Sequence, residues 1–142
     1  MTLTADDRAA LIGACPLFRG LVPDDLAAVA AAAIEVDFPA ERVIARQGEI
    51  GTGFFIVVSG RVRVVRDGVA VAHLGPGEFF GELSILDGGP RVAQVVTDEP
   101  TVCLAIPSWD FERVLREEPG VALAVLKVVA ARLREVTSDH RT

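Results

Sequence analysis

Along the chain the spacing of apolar positions changes twice, from a helical period to a period of two at Ile34 and back to a helical one after Pro107. Thr4 precedes a predicted helix from Ala5 to about Ala14. Asp7, three residues on, makes a variant of the capping box, and Leu11 and Ile12 supply an apolar face. Pro16-Leu17-Phe18-Arg19-Gly20 breaks this helix. Pro23, Asp24 and Asp25 then open a second one through an alanine-rich run to about Ala33, because proline is tolerated and acids are favoured in a first turn.

From Ile34 the pattern predicts strands. Ile34 to Phe38 alternates, and Val43 to Arg46 follows the turn Pro39-Ala40-Glu41. Gly51-Thr52-Gly53 feeds the continuous run Phe54-Phe55-Ile56-Val57-Val58, and Ser59-Gly60 turns into Arg61-Val62-Arg63-Val64-Val65-Arg66, where arginines mark a wet face and valines a buried one. Asp67-Gly68 is a two-residue hairpin signal before Val69 to Leu74, and Gly75-Pro76-Gly77 turns into Glu78-Phe79-Phe80. Two further strands are predicted over Arg91 to Thr97 and Thr101 to Ile106. Short strands at intervals of roughly ten residues, punctuated by Gly and Pro, predict a mainly β fold, an antiparallel jelly-roll-type β-barrel with flanking helices.

After Pro107-Ser108 a helix is predicted to about Glu117, with Trp109, Phe111, Val114 and Leu115 available for burial. Pro119-Gly120 separates it from a last helix on which Ala122, Val125, Val129, Leu133 and Val136 form one stripe. That stripe has two candidate partners, the barrel wall or the same helix of a second subunit in a homodimer. The polar Thr137 to Thr142 is expected to fray. The chain of 142 residues is thus expected to form one domain over 1–142, with helices in 1–33, the barrel in 34–106 and a helix pair in 107–137.

Charge and cysteine usage narrow the class. With 14 basic and 20 acidic residues the net charge is −6, which argues against a broad surface for nucleic acid or anionic lipid. Cys15 and Cys103 match no metal-ligand spacing and read as packing thiols, pointing to a cytoplasmic protein. The start at Met1 shows no signal-peptide pattern, and no apolar stretch is long enough for membrane insertion. The sequence ends before any helix-turn-helix, so no direct contact with nucleic acid is expected. His73 has no second histidine near it in sequence, so no metal is expected. Glu78 and Glu82 come with no nucleophile, so no enzyme is expected.

The candidate chemistry lies in Phe79-Phe80-Gly81-Glu82-Leu83-Ser84-Ile85-Leu86-Asp87-Gly88-Gly89-Pro90-Arg91-Val92-Ala93-Gln94-Val95. A short helix over Gly81 to Leu86 would present the free backbone N–H groups of Glu82, Leu83 and Ser84 to an anion. The following loop is long enough to fold the Arg91 guanidinium over that helix end, where it could make charge-assisted bonds to phosphate. Glu82 would repel a simple anion, and makes sense if the ligand also offers a donor such as a ribose 2′-hydroxyl. The plainer alternative is a Glu82–Arg91 ion pair that pins the loop.

Gly81-Glu82-Leu83 through Pro90-Arg91-Val92-Ala93 resembles the phosphate-binding cassette of the cyclic nucleotide-binding domain family, found in the catabolite activator protein and protein kinase A regulatory subunits. Leu17-Phe18, Gln47-Gly48-Glu49, Phe54 to Val62 and Gly77 to Gly81 resemble that family in order and spacing. The resemblance implies Glu82 on the 2′-hydroxyl, Arg91 on the cyclic phosphate, and backbone donors at Gly81, Leu83, Ser84 and Ala93. Val92 and Gln94 depart from the family pattern. A hydroxyl at the position of Val92 is associated with guanine recognition, so its absence implies cAMP as ligand rather than cGMP. Val62 and Val64 would be either a base wall or barrel core, and Arg132 or Leu133 a lid residue. The expected function is a stand-alone cyclic-nucleotide sensor that signals through its C-terminal helices to an unidentified effector protein. The alternatives are an interaction module with a degenerate pocket, or a regulatory domain cut from a larger channel, transcription factor or enzyme.

Overall fold

The computed structural model describes residues 2–50 and 53–139. Gly51 and Thr52 of the predicted turn, and His140 and the end of the polar tail, lie outside the described residues. Helix α1 (Ala5–Ala14) starts from the predicted box: the Thr4 hydroxyl accepts from the Asp7 N–H, and the Asp7 carboxylate accepts from the Thr4 N–H, each at 3.0 Å. A 3₁₀ turn at Pro16–Phe18 leads to α2 (Pro23–Ala32).

Among the described residues eight strands follow: β1 (Ile34–Phe38), β2 (Val43–Ala45), β3 (Gly53–Ser59), β4 (Val62–Arg66), β5 (Val69–Leu74), β6 (Phe79–Phe80), β7 (Gln94–Thr97) and β8 (Thr101–Pro107). They pair antiparallel in two four-stranded sheets, ordered β1-β8-β3-β6 and β2-β7-β4-β5. The jelly-roll character of the prediction stands, but the sheets are not closed into a barrel. The β4–β5 hairpin turns at Asp67 (φ 52°) and Gly68 (φ 81°), the positive pair a type I′ turn demands. Gln47 braces it, donating to Asp67 Oδ1 at 2.8 Å and accepting from the Asp67 N–H at 2.9 Å.

The run Phe54 to Val57 is continuously apolar because both faces of β3 are buried. Phe54 and Ile56, with Leu104 and Ile106 of β8, pack against the helices, whereas Val57 and Cys103 join Ala45, Val62, Phe80 and Val95 in a second cluster. Phe18, Phe54 and Phe111 meet with ring centroids 5.3–6.2 Å apart, tying the 3₁₀ turn, β3 and α4 (Ser108–Glu117) into one core. Burial pushes the thiols of Cys15 and Cys103 up, to about 11 and about 12, which suits packing rather than reactive cysteines.

The C-terminal helices depart from expectation. Trp109 is 67% exposed, so only Phe111 and Val114 of α4 are fully buried. Helix α5 (Pro119–Asp139) buries Val121 and Val125, while Leu133 and Val136 are exposed. Leu123 and Leu126 also face solvent. No helix among the described residues is long and apolar enough to cross a membrane.

Candidate functional site

Between β6 and β7 the chain leaves the sheet to build a cavity. Phe80 is the last strand residue, and Gly81 reverses the chain at φ 101°, ψ −5° to cap α3 (Glu82–Asp87). A side chain at Gly81 would be strained by that φ, and its Cβ would collide with the Gly53 carbonyl. Helix α3 therefore starts at Glu82, one residue beyond the predicted Gly81, and ends at Gly88, also left-handed at φ 70°. The Asp87 side chain accepts from the Gly89 N–H at 2.7 Å and shapes the return loop.

Two backbone bonds then pin Arg91: its N–H donates to the Glu49 carbonyl at 2.7 Å and its carbonyl accepts from the Gly48 N–H at 2.8 Å. These bonds draw residues 90–91 toward the Gln47-Gly48-Glu49 turn, so the next strand starts at Gln94 and not at the predicted Arg91. The Arg91 side chain turns inward, and its Nη2 donates to the Gly53 carbonyl at 2.9 Å.

The result is a cavity of about 280 Å³. All seven residues singled out from the sequence line it: Gly81, Glu82, Leu83, Ser84, Arg91, Val92 and Ala93. Glu82, Ser84 and Arg91 are buried, whereas Val92 stands 61% exposed at the rim. Of the two valines considered for a base wall, Val64 lines the cavity, while Val62 is wholly buried in the inter-sheet cluster.

Glu82 and Arg91 share this cavity without forming a salt bridge to each other; among the described residues the direct ionic partner of Glu82 is Arg132, whose Nη1 donates to Oε1 at 3.3 Å. The Arg132 guanidinium also lies 4.8 Å from the centroid of the Phe79 ring, a cation–π contact. Of the two lid candidates, then, Arg132 reaches the site and Leu133 faces solvent. Burial pushes the Glu82 carboxyl above its usual range, opposed by its own backbone N–H, by Arg132 and by Arg91. Desolvation likewise lowers Arg91, with the Glu82 charge opposing it.

Sequence reasoning missed three parts: the Gly53 carbonyl that aims Arg91, the Phe79 ring under Arg132, and Leu74, which joins Val64 and Val95 on the cavity wall. Leu74 ends a strand, Val69–Leu74, whose other residues are all exposed, so neither apolar alternation nor local burial marked it as a wall residue. Chemically, the cavity offers a buried cation and a buried carboxylate, separately held, to a ligand with an anionic group and a hydroxyl.

The profile of the family described as "Cyclic nucleotide-binding domain" matches residues 35–118. The "Cyclic AMP receptor protein" of Thermus thermophilus is 38% identical over 84% of this chain and 58% of its own length. The "CRP-like cAMP-activated global transcriptional regulator" of Mycobacterium tuberculosis is 34% identical over 87% of this chain and 57% of its own. The chain thus spans less than three fifths of these two relatives. The solved N-terminal domain of a transcriptional regulator from Streptomyces coelicolor superposes with a TM-score of 0.79 at 32% identity, covering 92% of this chain and 94% of that one.

Proposed function

The chain belongs to the cyclic nucleotide-binding domain family, and from that premise we propose that it is a cytoplasmic regulatory module for a 3′,5′-cyclic nucleotide, cAMP in preference to cGMP. The observation that carries this reading is the pair Glu82 and Arg91, buried at one cavity, opposite in charge and not bridged to each other. Arg91 takes the cyclic phosphate, with backbone N–H groups of Gly81, Leu83, Ser84 and Ala93 around it. Glu82 takes the ribose 2′-hydroxyl. The preference for cAMP draws support from Val92, which has no hydroxyl to offer guanine, and from the names of the two relatives above.

Transmission runs through the Glu82 carboxylate, because Arg132 of α5 already holds one of its oxygens. A hydroxyl arriving on Glu82 changes how firmly α5 is tied to α3. Only a ligand with different affinity for the two arrangements can shift them. The exposed Leu123, Leu126 and Leu133 on α5 support a second copy of the chain as one partner. An effector protein that reads the position of α5 would be another.

Calorimetric titration with cAMP and cGMP tests the reading, with cAMP expected to bind at micromolar concentration or below and to raise the melting temperature. No binding of either nucleotide at high micromolar concentration overturns it, in favour of an interaction module with a degenerate pocket.

A further inference from the structure

Among the described residues five polar or charged side chains are buried: Glu82, Ser84, Arg91, Thr97 and Thr101. The protein satisfies both threonine hydroxyls, Thr97 donating to the Pro39 carbonyl at 2.6 Å and Thr101 to the Glu99 carbonyl at 2.8 Å. Arg132 and the Gly53 carbonyl hold Glu82 and Arg91. Ser84 is the exception. It is 7% exposed and lines the cavity, and among the described residues its hydroxyl has no hydrogen-bond partner. A buried hydroxyl left unpaired is costly, so such a group marks a place where a ligand or a water belongs.

Side chains on a helix lean toward its N-terminal end, which directs Ser84 on α3 back toward Gly81. The Arg91 guanidinium reaches the same place, since a Cβ built at Gly81 would lie 3.2 Å from Arg91 Nη1. The Gly53 carbonyl takes Nη2, and among the described residues Nη1 has no protein partner. A charged donor and a neutral one are thus both unengaged beside Gly81. Resting on the reading of Arg91 as the phosphate residue, we propose that the Ser84 hydroxyl is a second side-chain contact to the phosphate, donating to one exocyclic oxygen next to Arg91, so that the two exocyclic oxygens are held unequally. A hydroxyl adds this bond without adding charge, and its direction selects one oxygen where a backbone cradle and a guanidinium can share both.

Calorimetric titration of the full chain with cAMP and with its Rp and Sp phosphorothioates, each carrying sulfur in place of one exocyclic oxygen, tests this. Ser84→Ala is expected to weaken cAMP by roughly 10- to 150-fold, the range for a hydrogen bond to a charged group. The melting temperature of the ligand-free variant should be no lower than that of wild type, because the substitution removes an unpaired hydroxyl. Sulfur accepts a hydrogen bond weakly. The diastereomer whose sulfur faces Ser84 should therefore lose less than the other, changing the ratio of their affinities by about fivefold or more. Ser84→Cys keeps the shape of the side chain with a weaker donor and should lose cAMP affinity as Ser84→Ala does. Wild-type binding of cAMP with Ser84→Ala within about threefold of it overturns this inference and leaves the cyclic-nucleotide reading intact. So does a loss of affinity with a lower melting temperature and an unchanged phosphorothioate ratio, which would make Ser84 a structural residue. A wild-type chain that binds no cAMP overturns both.

Discussion

The arginine–carboxylate network on the outer sheet and the one in the cassette cavity differ in how the charges are used. On the outer face of the β2-β7-β4-β5 sheet, Arg63 donates to Asp98 at 2.7 Å and to Glu41 at 2.8 Å, and Asp98 also meets Arg61 at 3.7 Å and His73 at 3.2 Å. Each charge there has an opposite charge in the same network, and water reaches the group. In the cassette cavity Arg91 and Glu82 are buried, are not bridged to each other, and are held by a backbone carbonyl and by a residue of another helix. A surface network needs nothing further, and its arginines are the solvated strand face that the alternation of Arg61, Arg63 and Arg66 with valine suggests. A buried pair kept apart retains its capacity to bind, which is what marks a site.

The largest break in that contrast comes at Arg91. Arg91→Ala removes the partner of the phosphate and is expected to weaken cAMP by roughly 30- to 4000-fold, the equivalent of about 2–5 kcal/mol for truncating one side of a buried charge pair. Calorimetry reads it directly. Affinity within about threefold of wild type would put the phosphate elsewhere.

Glu82 follows. Glu82→Gln is expected to cost cAMP roughly 10- to 150-fold, the equivalent of about 1.5–3 kcal/mol for a hydrogen bond to a charged group. In that variant the margin between cAMP and 2′-deoxy-cAMP should narrow, because a neutral amide oxygen accepts from the 2′-hydroxyl more weakly than a carboxylate does. The ligand-free protein supplies a second readout. Burial raises the folded-state pKa of Glu82 above 4.5, so the protein is more stable below that pH and loses stability as pH rises through the folded value. Melting curves of wild type and Glu82→Gln should diverge above that window and converge below pH 4.5. Parallel curves across the range would mean that burial does not tax this carboxylate.

Much of this was legible in the sequence, for physical reasons that can be named. Turn chemistry is local, so the capping box at Thr4 and Asp7 and the Asp67-Gly68 hairpin could be read from neighbouring residues. Of the seven cassette residues, Gly81, Glu82, Leu83, Ser84 and Arg91 could be read from a short helix and a return loop within one stretch, whereas Val92 and Ala93 came from the family resemblance. The Arg132–Glu82 contact spans 50 residues and depends on where α5 is laid, which no local pattern encodes. The stripe on α5 misled for a related reason: burial ends after its first turns, leaving Leu133 and Val136 in solvent. Periodicity likewise predicted strands but not their pairing, which decides between a closed barrel and two sheets.

Gly81 tests whether the cavity depends on backbone shape as well as charge. Gly81→Ala would force a side chain into φ 101° against the Gly53 carbonyl, at a cost of roughly 1–3 kcal/mol. A melting temperature lower by about 3–10 °C is expected from calorimetric scans, together with weaker cAMP binding, because the same carbonyl aims Arg91. An unchanged melting temperature would show that the cassette relaxes freely around the new methyl group.

The smallest effect is expected in the surface network, and it carries the opposite sign with pH. Hydrogen bonding to Arg63 lowers Asp98 below 3.8, so the contribution of Asp98 is present above that value and lost as pH falls through its folded-state pKa. Arg63→Ala should lower the melting temperature by less than about 3 °C at neutral pH. The difference should shrink as acid protonates Asp98, shrink in high salt because the network is exposed, and leave cAMP affinity within about twofold. The Glu82→Gln gap should also close in acid, but from the opposite sign, the variant melting above wild type at neutral pH rather than below it. If Arg63→Ala weakened cAMP as much as Arg91→Ala does, the outer network would be coupled to the cavity, and separately held buried charges would no longer distinguish the site from its scaffold.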